Sequence, residues 1–221
     1  MNKLHSLAVL AITLASTGAF AQKAGSFTLE AGVTRLSPDV TSGDLSAPAF
    51  PNTKGDVSNA TGLSGAVTYM LSDNIALNVP LGLGFKHDII GAARAEGFGV
   101  IGTVKVLPIT ALAQYRFGAA DAQIRPYVGA GLTYAVFFKE TGNAALTALT
   151  NPGGAPTTFS VGDKLAPTVQ LGAIFNINDK WFVNAHYAKT FLKARTTFST
   201  NQTQSIKINP DAFSIAVGYK F

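Results

Sequence analysis

The sequence predicts an all-β fold, an eight-stranded antiparallel transmembrane β-barrel, and three observations carry that prediction. The first is strict alternation over Val104 to Phe138. Counting back from Phe117, every second residue (Phe117, Tyr115, Ala113, Ala111, Ile109, Leu107) is apolar or small, while the other register holds Arg116, Gln114, Leu112, Thr110 and Pro108. After a short turn, Val128, Ala130, Leu132, Tyr134, Val136 and Phe138 alternate with Tyr127, Gly129, Gly131, Thr133, Ala135 and Phe137. Period two is the mark of a strand. The second observation is length: each of these strands exceeds ten residues, against the usual five or six of soluble sheets. A tilted strand needs roughly 9 to 11 residues to cross hydrocarbon, with aromatics at both interfaces. The third is the connections, which run long, short, long, short, long, short, long, so that every short turn falls on the side the two termini share.

In chain order, Met1 to Ala21 carries Lys3 and His5, an apolar run from Leu7 to Ala15, and Ala19-Phe20-Ala21 as a small-x-small cleavage site. This reads as a secretory signal peptide over 1–21, followed by a single barrel domain over 22–221. Strand one, Ser26 to Leu36, sets Phe27, Leu29, Ala31 and Val33 against Thr28, Glu30, Gly32 and Thr34. A polar loop over 37–60 leads to strand two, Thr61 to Leu71, and the tight turn Ser72-Asp73-Asn74. Strand three places Ile75, Leu77, Val79, Leu81, Leu83 and Phe85 on one face, opposite Ala76, Asn78, Pro80, Gly82 and Gly84. A second loop over Lys86 to Gly102 precedes the central hairpin, and a third spans 140–164 around Asn151-Pro152-Gly153-Gly154. Strand six is Leu165 to Ile177, strand seven starts at Trp181, a last loop lies near Thr197 to Gln204, and strand eight ends the chain with Phe213, Ile215, Val217, Tyr219 and Phe221 alternating.

Composition narrows the classes. No later stretch offers eighteen consecutive apolar residues, which excludes helical spans. The chain has no Cys, so disulfides and thiolate metal sites are excluded, and no other metal or cofactor site is expected. The formal charge of +5 falls to +4 once Lys3 is removed. These cations are scattered singly rather than clustered, which argues against a nucleic-acid binder and for interface cations facing outer-membrane lipid.

Little points to catalysis, and the chain is expected not to be an enzyme. His87-Asp88 sits where strand three leaves the membrane and reads as a solvated pair at a loop base; an outer-membrane lipid enzyme would need more than a His-Asp dipeptide. His186 falls on the inner face with Phe182 and Asn184, without a second metal ligand in its register. The lumen-lining residues are expected to be Thr110, Leu112, Gln114, Thr133, Phe137, Gln170, Ile174, Phe182, Asn184 and His186. Their mixture of apolar groups, hydroxyls and amides fits a channel or pocket for small apolar molecules, or a filled core, since eight strands leave an interior just wide enough for side chains.

The chain resembles the OmpW family of small outer-membrane barrels along nearly its whole mature length, through FTLEAGVTRLSP, TYMLSDNIAL, LPITALAQYRFG, RPYVGAGLTYAVFF, DKWFVNAHYAKT and INPDAFSIAVGYKF. The resemblance implies a narrow, largely apolar lumen, a place in the outer membrane of a Gram-negative bacterium, and passage of small hydrophobic solutes. It favours the porin-like channel over the filled core; the alternative is a surface-interaction barrel with a closed interior. Tyr219 and Phe221 resemble the signal read by the outer-membrane assembly machinery. Glu30, Arg116 and Lys220 fall at one depth near the periplasmic end, where Glu30 is expected to pair with Lys220 or Arg116 and close the mouth, or to sit solvated at the rim.

Overall fold

A computed structural model describes residues 22–221; the expected signal peptide lies outside the described residues. The elements are β1 (Phe27–Ser37), β2 (Thr41–Ser42), β3 (Thr53–Val57), β4 (Ala60–Met70), β5 (Ile75–Gly82), β6 (Phe85–Ala93), β7 (Val100–Arg116), β8 (Ile124–Gly142), α1 (Ala144–Thr150), β9 (Phe159–Val161), β10 (Lys164–Asn176), β11 (Trp181–Thr190), β12 (Lys193–Phe198), β13 (Thr203–Lys207) and β14 (Asp211–Lys220). Eight walls close antiparallel in the order β1, β4, β5 continued by β6, β7, β8, β10, β11, β14, and β14 returns to β1 through Thr28 opposite Lys220 up to Ser37 opposite Asp211.

Alternation decides which side chains meet lipid. Leu132 is 51% exposed and its neighbour Thr133 is 3% exposed, the clean inside–outside switch of a sheet bathed in hydrocarbon. Leu77, Leu81, Leu171, Ile215 and Val217 share the outer face. At the turn end this belt closes with touching aromatics, Phe27 on Tyr69, Tyr115 on Phe117, and Trp181 on Tyr219 on Phe221. The short turns are held by their own side chains. Ser72 Oγ accepts from the Ile75 amide at 3.0 Å, and Asn178 Oδ1 accepts from the Trp181 amide at 2.8 Å.

Three sequence expectations need correction. The stretches expected as loops over 37–60, Lys86 to Gly102, 140–164 and Thr197 to Gln204 carry ordered structure. There β3 pairs β6, while β2, β13, β12 and β9 form a second sheet beyond the membrane belt. Period-two reading missed them because short, largely polar strands in water need no continuous apolar face. Second, Phe85 does not share the outer face with Leu77 and Leu81; it is 5% exposed and points inward. The chain gains one residue between Asn78 opposite Leu112 and Phe85 opposite Val106, so six residues face five. Gly84, at φ 83°, takes up that extra residue in a conformation that side chains resist, and one residue of slip moves everything beyond it to the other face. Third, His87 is not a solvated loop residue. It lies on β6, 2% exposed and turned inward, while Asp88 follows on the opposite face.

The lipid belt is directly testable: Leu132→Arg and Ile215→Arg should each destabilise the folded barrel by about 2–4 kcal/mol near the midplane. Arg in place of exposed Ser205, on β13 beyond the belt, should cost well under about 1 kcal/mol. Urea-titrated folding into bilayers measures both, and equal costs at the two levels would contradict this placement.

Candidate functional site

The barrel interior divides into a packed floor at the turn end and an apolar cavity above it. The floor grows from the inward residues of β7, β8, β10 and β11. Tyr127, Ile174 and Phe182 pack together with almost no exposure. Phe182 lies so close to the β14 backbone that a Cβ on Gly218 would sit 2.0 Å from its ring, so a residue without a side chain is required there.

Polar groups complete the floor in two hydrogen-bonded sets. Gln114 Nε2 donates to Gln170 Oε1 at 2.7 Å, Arg116 Nη2 donates to Gln114 Oε1 at 3.0 Å, and Arg116 Nη1 donates to Gln22 Oε1 at 2.6 Å. Arg125, fully buried, donates to the same Gln22 oxygen at 3.3 Å and to the Asp73 carbonyl at 2.5 Å. Tyr127 donates its hydroxyl to Asn184 Oδ1 at 3.0 Å, and Asn184 Nδ2 donates to both Glu30 oxygens at 2.9 and 3.2 Å.

The expected ion pair is absent: among the described residues no carboxylate lies within ion-pair distance of Arg116 or Lys220. Register explains this, since Lys220 stands opposite Thr28 rather than Glu30 and its Nζ donates to the Asn178 carbonyl at 3.3 Å. Glu30 is not solvated at a rim either, being 7% exposed under Asn184. Arg125 and Gln22 escaped the sequence reading. Continuing the inward parity of Tyr127 by two residues would have found Arg125; nothing in the sequence marks Gln22.

Above the floor lies a cavity of about 170 Å³. Its walls are largely apolar, with Leu36, Phe85, Val106, Leu112, Ala135, Phe137 and Ile208 among the lining residues, and no Lys or Arg among the described residues lines it. Of the residues expected in the lumen, Thr110, Leu112, Thr133, Phe137, Gln170 and His186 line this cavity. Gln114, Ile174, Phe182 and Asn184 point inward but belong to the floor. Two hydroxyl ladders cross its walls. Thr110, Thr133, Thr168 and Thr190 are linked at 2.8, 2.6 and 2.9 Å, and Thr34 joins Ser64 at 2.7 Å and Ser214 at 2.6 Å. Ile101, Leu146, Phe159 and Phe198 roof the cavity at the loop end, where α1 packs down.

His87 lies under that roof, beyond the membrane belt, where exposed Lys86 shares its strand. Its Nδ1 is 2.6 Å from the Ser58 carbonyl; a carbonyl only accepts, so Nδ1 carries the proton. Burial pushes the ring below its ordinary pKa, opposed in part by that hydrogen bond and by Asp88, so it is neutral at pH 7.

One wall is incomplete. β5 pairs β7 only from Ile75 to Asn78, and β6 takes up the pairing at Phe85. Across Val79 to Gly84 and Leu107 to Ala111 the two strands share no ladder, although β5 stays paired with β4 to Gly82 and β7 stays paired with β8 throughout. Pro80 and Pro108, which have no amide to donate, fall in this seam, and both line the cavity together with Leu81 and Gly82. Leu81 is also half exposed on the lipid side. The seam is therefore the wall shared by cavity and membrane.

Comparison with known proteins agrees with this architecture. The sequence profile of the OmpW family matches residues 23–221. Outer membrane protein W of Vibrio cholerae serotype O1 is 34% identical over 221 residues, covering 97% of each chain. The crystal structure of OprG from Pseudomonas aeruginosa superposes with a TM-score of 0.82 at 24% identity, covering 92% of this chain and 99% of that one. The solution structure of Escherichia coli outer membrane protein W gives a TM-score of 0.59 at 30% identity, covering 90% and 99%. A closed eight-walled barrel with a lipid-facing belt, matched by that family across the whole described length, makes this chain a Gram-negative outer-membrane protein that belongs to the OmpW family.

Proposed function

We propose that the barrel passes small hydrophobic molecules from the cell exterior into the outer membrane, holding them in the apolar cavity and releasing them sideways through the seam between β5 and β7. The seam carries this reading. A solute in the cavity faces a floor packed with Phe182, Tyr127 and two buried arginines, whereas the seam replaces backbone pairing with proline and short apolar side chains. An open ladder in hydrocarbon costs several kcal/mol per unpaired group, so a gap held open by residues that lack donors fits a passage better than a packing accident. The cavity volume of about 170 Å³ exceeds the roughly 150 Å³ of an apolar cavity known to accept benzene. The family resemblance points to the same solute class, and no catalytic role follows from His87, whose neighbour Asp88 takes the other face.

The packed roof of Ile101, Leu146, Phe159 and Phe198 favours a second reading, in which the interior stays shut and the loop-end sheet binds a partner. Cross-linking decides between them. The chain has no native Cys, so Leu81→Cys with Ile109→Cys, joined by a short bifunctional thiol reagent, spans the seam specifically. Closure should abolish uptake of a small hydrophobic probe into cells, and a cleavable linker should restore it on reduction; uptake indifferent to the cross-link would leave the surface-binding reading.

The floor makes a separate prediction. Removing Arg116 or Arg125 by substitution with Ala opens the polar network, so small-ion conductance in planar bilayers should rise several-fold above a near-silent wild type. Unchanged conductance in both variants would mean that the aromatic layer alone seals this end.

Phe221, outward on the turn-end girdle, is proposed to serve recognition by the assembly machinery rather than solute selection. Deleting it should lower the amount of folded barrel in the outer membrane while leaving per-barrel uptake unaltered, and normal accumulation would remove that role.

A further inference from the structure

We propose that the cavity is built for amphiphiles, molecules with a compact apolar body and one uncharged hydrogen-bonding head, and that the head is seated on a shelf formed by His186 with the hydroxyls of Ser64, Thr34 and Ser214. The inference rests on the cavity being a solute site and specifies which solutes it takes.

Among the described residues His186 has no hydrogen-bond partner. Its Nδ1 is covered and unpaired, while Nε2 keeps surface toward the cavity that the residue lines. A buried imidazole normally engages at least one nitrogen, and here the Gly172 and Ser214 positions opposite it supply no partner. Beside it runs the chain Ser64–Thr34–Ser214, linked at 2.7 and 2.6 Å. Three hydroxyls carry three protons, and two links use two of them; one proton remains to donate outside the chain. Ser64 and Ser214 both keep accessible surface inside the barrel. The shelf thus offers an imidazole nitrogen and a spare hydroxyl donor in a largely apolar space walled by residues such as Leu36, Phe85 and Val106, where Glu30 and Gln170, the other polar groups from the floor that reach it, are held by Asn184 and Gln114.

A pure hydrocarbon would leave these groups unsatisfied, at the usual cost of a desolvated polar atom. An anionic head has no cation to meet: among the described residues no Lys or Arg lines the cavity, and Arg116 and Arg125 are engaged below by Gln22 and Gln114. What complements the shelf is a hydroxyl or carbonyl on an apolar body.

Phenol and toluene, alike in size and shape but different by one hydroxyl, test this on the full barrel in lipid nanodiscs with 15N-labelled histidine. Phenol should shift the His186 ring resonance and toluene should not. His186→Phe should weaken phenol binding about two- to tenfold, the worth of one hydrogen bond, and leave toluene unchanged. Ser214→Ala, a milder change, should act in the same direction. Equal affinity for both probes, insensitive to either variant, would overturn the amphiphile shelf and leave the solute cavity intact. Binding of neither probe would overturn the shelf and the cavity reading together. Benzoate binding as tightly as phenol would overturn the requirement for an uncharged head.

Discussion

In hydrocarbon an unpaired backbone amide or carbonyl finds no water, and this one constraint shapes the whole molecule. A sheet can satisfy it only by closing, so β1 must meet β14, as it does over ten paired positions. Closure then fixes the rest. Alternate side chains are forced outward into lipid, the others share an interior barely wide enough for them, and aromatics collect where the apolar belt meets the headgroups. Against this background the unpaired stretch between β5 and β7 stands out physically. The barrel violates the constraint at one wall, next to its cavity, and does so with two prolines that reduce the number of donors left stranded and a positive-φ glycine that takes up the extra residue.

The floor solves a different problem, the burial of cations without acids. Arg116 and Arg125 are each at most 2% exposed, and among the described residues neither meets a carboxylate within ion-pair distance. Their donors go instead to amide oxygens of Gln22 and Gln114 and to the Asp73 carbonyl. A charge-assisted hydrogen bond to a neutral acceptor contributes about 1.5–3 kcal/mol, and several of these, with Arg116 over the Tyr127 ring at 5.9 Å, offset a desolvation that one salt bridge would offset poorly. Because Gln22 accepts from both guanidinium groups, it ties the start of the described chain into the plug. Glu30 stays on the other branch, through Asn184 and Tyr127.

Wall count, lipid face, turn positions and most inward residues were legible in the sequence, because period two is enforced wherever one face meets lipid. Legibility failed where that enforcement lapses. Past Gly84 the strand continues in water, so nothing in the pattern announced that Phe85 and His87 had changed sides. Arg125 was lost because the second strand of the central hairpin was read from Tyr127, whereas β8 begins at Ile124, although its parity was already set. The pairing of Glu30 with Lys220 or Arg116 was inferred from similar depth, a shared inner face and the adjacency of the first and last strands, and none of these gives register: neighbouring strands in a sheared barrel are offset, so that Glu30 meets Gly218.

Level also connects the shelf to the seam. Ser64 of the hydroxyl chain stands opposite Gly82 across the β4–β5 ladder, and Gly82 lies within the unpaired stretch. A head seated on Ser64, Thr34 and Ser214 therefore holds its molecule at the height where β5 and β7 lack backbone pairing, not above it under the roof. The floor blocks descent, the hydroxyls hold the head by hydrogen bonds worth only about 0.5–1.5 kcal/mol each, and the bilayer beyond Leu81 offers the apolar body an environment as good as the cavity's. Retention is weak toward the one wall that lacks backbone pairing, which fits the proposed conduit into the membrane better than a storage pocket.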